Sequence, residues 1–321
     1  MSASVNATSI DPDAPLLVLT GPTASGKTAA AVTLAEVLGG ELVGADSVQV
    51  YRGFDIGASK PRPEELRGVP HHLLDVRDPD QELDAADFAA LADRAIAEVR
   101  ARGKLAIVVG GSGLWLRALL RGLVPLPKVD PALRAQLHEE ARALGAPALH
   151  ARLAEVDPHA AAKIHANDEV RIVRALEVYA QTGTPLGALR EAHALGAPRY
   201  RALRVVLDWP APVLQARIEA RTEAMFAAGF VDEVRALHAR YGARARALGS
   251  VGYREVVEHL VDGVPLAETV ARVARATRIY ARRQRTWLNN EPGDRWSVTP
   301  DDLHAPAGMA RLVRFLAPSA G

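Results

Sequence analysis

Gly21-Pro22-Thr23-Ala24-Ser25-Gly26-Lys27-Thr28 places two glycines, a lysine and a hydroxyl residue at the spacing of a phosphate-binding loop. The apolar run at 15–20 leads into it and an alanine-rich segment follows. A strand ends there, glycine lets the backbone curl, and successive amide N–H groups converge at the start of a helix, where the dipole favours an anion. Lys27 stands out, because the chain holds 39 Lys plus Arg but only five lysines. All eight residues are expected to hold a phosphate or diphosphate.

A second short strand at 41–45 runs into Asp46-Ser47-Val48-Gln49-Val50-Tyr51. An Asp at the C-terminal end of a strand beside a phosphate loop lies in the crevice where open α/β sheets bind ligands. A helix cap or turn is the equal alternative for it. The Gln49 amide can both donate to and accept from an adenine edge. Residues 55–61 and 71–75 read as loops at the same sheet edge. His71 and His72, if extended, face opposite sides and do not share a metal. A nucleotide kinase would end an apolar strand in a metal-binding Asp. The strand at 104–109 ends instead in Gly110-Gly111-Ser112-Gly113, and Asp208, followed by Trp209-Pro210, reads as a strand exit. The loop is therefore expected to hold a diphosphate without serving phosphoryl transfer.

These segments must be carried by strands that alternate with helices, which means a parallel sheet covered by helices. Residues 14–127 and 201–316 are expected to form this P-loop-type α/β core. Between them, 128–200 holds alanine-rich, charged segments with no strand pattern, read as an inserted all-helical domain. Helices are expected to fill the chain from the strand at 203–207 to about residue 315. Residues 1–13 and 317–321 read as flexible ends. Hydrophobic content of 49% over 321 residues allows a sizeable core. The absence of cysteine excludes disulfides and thiol nucleophiles. No stretch has membrane-spanning length and no signal peptide is visible, so a cytoplasmic protein without a membrane partner is expected. No heptad seam suggests an oligomer, so a monomer is expected.

From Glu268 to Glu291 the chain has no acidic residue between its ends, while Arg272, Arg275, Arg278, Arg282, Arg283 and Arg285 fall within about 160° of a helix circumference. Such a stripe is either a solvated face or a contact for nucleic acid, and its one-sidedness favours the latter.

Together the motifs resemble the tRNA dimethylallyltransferases. The likeness runs in order through Gly21–Thr28, Asp46–Tyr51, Gly57–Pro61, Gly110–Leu116, Asn167–Val178, Ser250–Arg254 and Thr277–Leu288. Ser112 stands where the family has Thr, Trp115 where Tyr is usual, Ala58 for Thr and Ile279 for Gln. The resemblance implies transfer of a dimethylallyl group from dimethylallyl diphosphate to the N6 amine of adenosine 37, next to the anticodon of tRNA. It implies Asp46 as general base, with Ser112 and Arg134 acting on the charge of the leaving diphosphate. Sequence alone would leave Arg134 a solvated helix residue. By analogy with the ordinary use of the loop, Mg2+ is the implied cofactor, held partly by the Thr28 hydroxyl. The anticodon stem-loop would be met by Asp46, Ser47, Val48 and Gln49, by Val170, Arg171, Ile172, Val173 and Arg174, by Gly249, Ser250, Val251, Gly252, Tyr253 and Arg254, and by Arg282, Arg283, Gln284, Arg285, Thr286 and Trp287. Three rivals share parts of this pattern: a small-molecule kinase, a prenyltransferase of free adenine nucleotides, and a non-catalytic RNA-binding protein.

Overall fold

Strands built almost wholly of Leu, Val, Ile and Ala form the centre of the molecule, because a parallel strand is covered on both faces and tolerates few polar side chains. The computed structural model describes residues 14–193 and 198–317; the ends at 1–13 and 318–321 lie outside the described residues. Contacts divide the chain into two units, one of residues 1–121 with 198–321 and one of residues 122–197.

The first unit runs β1 (Pro15–Thr20), α1 (Lys27–Leu38), β2 (Gly40–Ala45), α2 (Pro63–Leu66), β3 (His71–His72), α3 (Ala85–Ala101), β4 (Leu105–Gly110) and α4 (Gly113–Arg121). The second unit holds α5 (Pro131–Leu144), α6 (Ala146–Val156), α7 (Pro158–Ala161), α8 (Glu169–Thr182) and α9 (Leu186–His193). The first unit then resumes with β5 (Arg201–Leu207), α10 (Ala211–Ala227), α11 (Phe230–Tyr241), α12 (Tyr253–Asp262), α13 (Leu266–Asn290), β6 (Arg295–Val298), α14 (Pro300–His304) and α15 (Pro306–Leu316).

The six strands form one sheet in the order β3-β2-β4-β1-β5-β6, every pair parallel. In β1, β2 and β4 every residue after the first is buried, and α1, α14 and α15 supply the apolar side chains that close one layer of core. Because the strands are parallel, their C-terminal ends share one edge, and the segments after β1, β2 and β4 all emerge there.

Two features depart from the sequence reading. β6 is a strand within the segment expected to be wholly helical. Its four residues, Arg-Trp-Ser-Val, sit on the sheet margin and none is fully buried, so no apolar run marks it. His71 and His72, read as loop, form the opposite margin, paired with Leu42 and Val43.

The second unit has its own core, in which Leu137, Leu149, Leu153, Ile172 and Leu176 are almost fully buried. No strand occurs among its described residues. Glu177, wholly buried, accepts from the Asp130 amide at 3.1 Å and from Arg134 Nη2 at 2.6 Å, and lies 3.1 Å from Arg174 Nη1. A buried carboxylate persists only with such partners.

Candidate active site

The loop after β1 is shaped by backbone that L side chains resist. Gly26 has φ 87° and Ala24 φ 64°, while a Cβ on Gly21 would stand 2.3 Å from the Leu207 carbonyl oxygen. Helix α1 begins directly after Gly26, with no side-chain cap and no acidic residue in its first turn. By contrast, Asp84 caps α3 by accepting from the amides of Ala86 and Asp87. The first-turn amides of α1 thus remain without a side-chain partner, aimed where an anion would sit. Two loop amides are otherwise engaged: Thr23 N donates to Gln284 Oε1 at 2.8 Å and Ser25 N to the Pro22 carbonyl at 3.2 Å. This corrects the expectation that every amide from Thr23 to Thr28 serves the diphosphate.

Helix α10 and the turn that leads into it hold the loop. Arg217 Nε donates to the Ala24 carbonyl at 2.8 Å, Arg221 Nη2 to Thr23 Oγ1 at 2.6 Å, and Trp209 Nε1 to the Ser25 carbonyl at 3.0 Å. A cavity of 660 Å3 opens beside the loop, lined by Thr23, Gly26, Lys27 and Thr28, by Arg217 and Arg221, and by Asp46, Gln49, Ser59 and His71 among others. Burial lowers the Lys27 ammonium to about 8, against the opposing pull of Asp46 and with help from Arg221. The same burial lowers Arg221, again opposed by Asp46. Half-buried Lys27 and Arg221 and the exposed Arg217 bring three cations to this cavity, which favours an anion there.

Asp46 faces the same cavity from the end of β2. Its Oδ1 accepts from Val48 N at 2.9 Å and Gln49 N at 3.2 Å, which fixes the side chain as a turn former. Oδ2 takes no hydrogen bond among the described residues, so one oxygen anchors the group and the other is left for a further partner. Asp46 is thus a turn residue that also lines the cavity. Tyr280 lies close enough for Asp46 to help burial raise its phenol to about 12, while a hydrogen bond from Gln284 pulls the other way. No cluster of three or more His, Asp or Glu that could hold a metal occurs among the described residues. A cation here would draw its ligands mainly from a bound diphosphate and water, the usual habit of Mg2+, and the unbonded oxygens of Thr28 and Asp46 are hard donors suited to it.

Several other expected residues are engaged by partners within their own unit. Gln49 Nε2 donates to the carbonyls of Ala58 (3.0 Å) and Ser59 (3.2 Å), so the donor half of its amide holds the 55–61 loop and is not free to read adenine. Ser112 Oγ accepts from Ser47 N at 2.9 Å and donates to Ser47 Oγ at 3.2 Å, next to Asp46 and not on the phosphate loop. Arg134, in the second unit, is engaged by Glu177. Of Val170–Arg174, Val170 and Arg171 face outward, Ile172 and Val173 are buried, and Arg174 donates to the Pro127 carbonyl. Arg171 and Arg174 thus do not present a common free face. Gly249 and Arg254 are exposed, whereas Gly252 and Tyr253 are buried.

The arginine stripe of α13 is divided by acids, one on the helix itself and the others from elsewhere in the chain. Arg272 pairs with Glu258 and Glu268, Arg278 with Glu219, and Arg285 with Asp208. Arg275, Arg282 and Arg283 are exposed and have no acidic partner among the described residues. Gln284 is buried, and Trp287 packs on α4, where a Cβ on Gly113 would lie 2.5 Å from its indole. Both had been expected to meet RNA.

The family model described as IPP transferase matches residues 49–291. The chain belongs to the IPP transferase family. A tRNA dimethylallyltransferase of Anaeromyxobacter sp. (strain K) is 55% identical over 298 residues, covering 93% of this chain and 96% of its own. One from Geobacter sulfurreducens is 49% identical over 296 residues, covering 92% and 95%. Among solved structures, the tRNA isopentenylpyrophosphate transferase of Bacillus halodurans is 36% identical with a TM-score of 0.68, covering 94% of this chain and 96% of that one. A eukaryotic dimethylallyltransferase described as acting on tRNA has a TM-score of 0.77 at 24% identity, covering 93% and 78%, a likeness of fold.

Within this family frame the sequence reading missed Arg217, Arg221 and Tyr280. The two arginines stand at i and i+4 on a helix that follows β5, and a helix leaving the C-terminal edge next to β1 must begin beside the phosphate loop. It also missed Glu233, whose carboxylate accepts from the amides of Asp55, Ile56 and Gly57 and from Tyr253 Oη. No local pattern announces that group, because its partners lie 20 to 178 residues away in sequence.

Proposed function

We propose that this chain transfers the dimethylallyl group of dimethylallyl diphosphate to the N6 amine of adenosine 37 in tRNA, releasing diphosphate. The observation that carries this reading is that Asp46 and the phosphate loop, with its three cations, line one cavity. The adenine amine is a weak nucleophile because its lone pair is delocalised into the ring. Asp46 Oδ2 orients it and accepts one N6 proton as the new N–C bond forms, a general-base role of about 100- to 10,000-fold. The C–O bond to diphosphate breaks on the opposite side of the same carbon. Lys27, Arg217, Arg221 and the first-turn amides of α1 then meet the growing negative charge.

Thr28 would hold Mg2+, which when bound adds positive charge to the departing diphosphate. Ser112 supports the turn that carries Asp46 through Ser47, and we retain for it and for Arg134 a part in stabilising the leaving group in the RNA-bound enzyme. Ser47, Gly249–Arg254, Val170, Arg171, Arg282 and Arg283 are the surfaces offered to the anticodon stem-loop. Recognition of an unpaired loop suits the chemistry, since a base must leave its stack to bring N6 to Asp46. No helix among the described residues is long and apolar enough to cross a membrane. We place the reaction in the cytoplasm and on a single chain.

The test is direct. The protein is incubated with Mg2+, dimethylallyl diphosphate and an anticodon stem-loop bearing adenosine 37, and the RNA is weighed. A gain of one prenyl unit is expected. Gain only on free adenine nucleotide, or phosphoryl transfer from ATP, would select one of the rivals.

A further inference from the structure

We infer that Gln284 is a positioning residue of the transfer site, an amide clamp that holds the phosphate loop and the Ser112 turn at a fixed separation. This rests on the proposed function. It replaces the expectation that Gln284 touches RNA.

β1 and β4 are neighbours, and their ladder ends at the pair Thr20 and Gly110. Beyond it one backbone curls into the phosphate loop and the other into Gly111-Ser112-Gly113, so peptide groups on each side lose their ladder partners. Gln284 enters this gap from α13. Its Oε1 accepts from Thr23 N at 2.8 Å and its Nε2 donates to the Gly111 carbonyl at 3.0 Å. A primary amide offers the same donor and acceptor as a peptide group, so the side chain continues the ladder where the strands cannot. The approach is tight: a Cβ on Gly111 would lie 2.5 Å from Gln284 Nε2. Trp287, one turn later on α13, presses in the same way on Gly113. Ser112 is thus held between two glycines whose bareness α13 uses.

Both ends of the clamp lead to the proposed chemistry. Thr23 also receives Arg221, on the diphosphate side. Ser112 bonds Ser47, the neighbour of Asp46, on the acceptor side. Releasing the clamp lets leaving-group site and base drift relative to each other, and misplacement of about 1 Å is enough to slow a reaction by about 100-fold. Gln284 need not touch either substrate to do this.

Two variants of the full chain test it: Gln284→Met, similar in size and unable to bond either loop, and Gln284→Glu, which keeps an acceptor for Thr23 N but turns an oxygen toward the Gly111 carbonyl. For folded variants with Mg2+, dimethylallyl diphosphate and stem-loop, kcat is expected to fall about 10- to 100-fold. KM for the diphosphate should rise, and KM for the stem-loop should stay within about twofold of the parent, because no phosphate or base contact is lost. A raised stem-loop KM with kcat intact would make Gln284 an RNA contact and overturn the proposal, as would unchanged kinetics. Amide exchange in the unaltered protein supplies a reading independent of variant folding. Thr23 N–H should exchange slowly, and exchange at the rate of an open loop would remove the clamp. An unaltered protein that protects Thr23 yet leaves the stem-loop unmodified would instead defeat the proposed function.

Discussion

At the scale of single residues, the site depends on groups that serve two purposes. Asp46 anchors its own turn through Oδ1, leaves Oδ2 without a hydrogen bond among the described residues, and lines the cavity. Asp46→Asn keeps the anchoring oxygen and loses the base, so kcat should fall about 100- to 10,000-fold while dimethylallyl diphosphate still binds. Normal turnover by this variant would remove Asp46 from the mechanism. Lys27 gives a pH signature. Its ammonium sits at about 8 in the folded chain against 10.5 when unfolded, so between those values the unfolded chain binds more protons. The burial penalty is fully present below about 8 and is relieved as pH rises toward 10.5, so this group makes the fold more stable with rising pH in that window. Substrate binding runs the other way, because the cation is lost as pH rises through about 8. KM for dimethylallyl diphosphate should therefore climb above that pH, and Lys27→Arg should remove the inflection.

At the scale of elements, α13 shows both how much a sequence pattern reveals and what it omits. Periodicity was enough to place six arginines on one side of a helix. It could not show that Glu258, Glu219 and Asp208 neutralise half of them, since those acids arrive from other elements. The loop at Gly21–Thr28 and the turn at Asp46 were legible because their chemistry is local to a few consecutive residues. Arg217, Arg221 and Glu233 were not, because only the order of the strands brings them to their partners. β6 escaped notice for a related reason: a short marginal strand needs no apolar run. The division of the stripe has a measurable consequence. Arg275→Ala, Arg282→Ala and Arg283→Ala should each reduce the slope of log affinity for the stem-loop against log salt by about one. Arg272, Arg278 and Arg285 should matter less, since each loses a carboxylate partner on meeting RNA. Equal slopes across all six would show that the ion pairs do not restrain them.

At the scale of the whole molecule, two bodies of core are stabilised separately. Glu177 is the central acid of the second, buried with two arginines and a backbone amide. Glu177→Leu leaves those cations without their partner and should destabilise that unit by about 3–5 kcal/mol. Amide exchange should accelerate across residues 122–193 while the strands of the first unit keep their protection. Uniform acceleration throughout would mean that the two bodies unfold as one.

The margins of the sheet carry a last consequence. The inner strands run six or seven residues, but the outermost two have only two and four. Each outer rail therefore exposes few unpaired backbone groups onto which a foreign strand could zip. With a net charge of only +1, copies of this chain repel one another weakly. Stunted rails guard against the fibre-like stacking that so little mutual repulsion would otherwise permit.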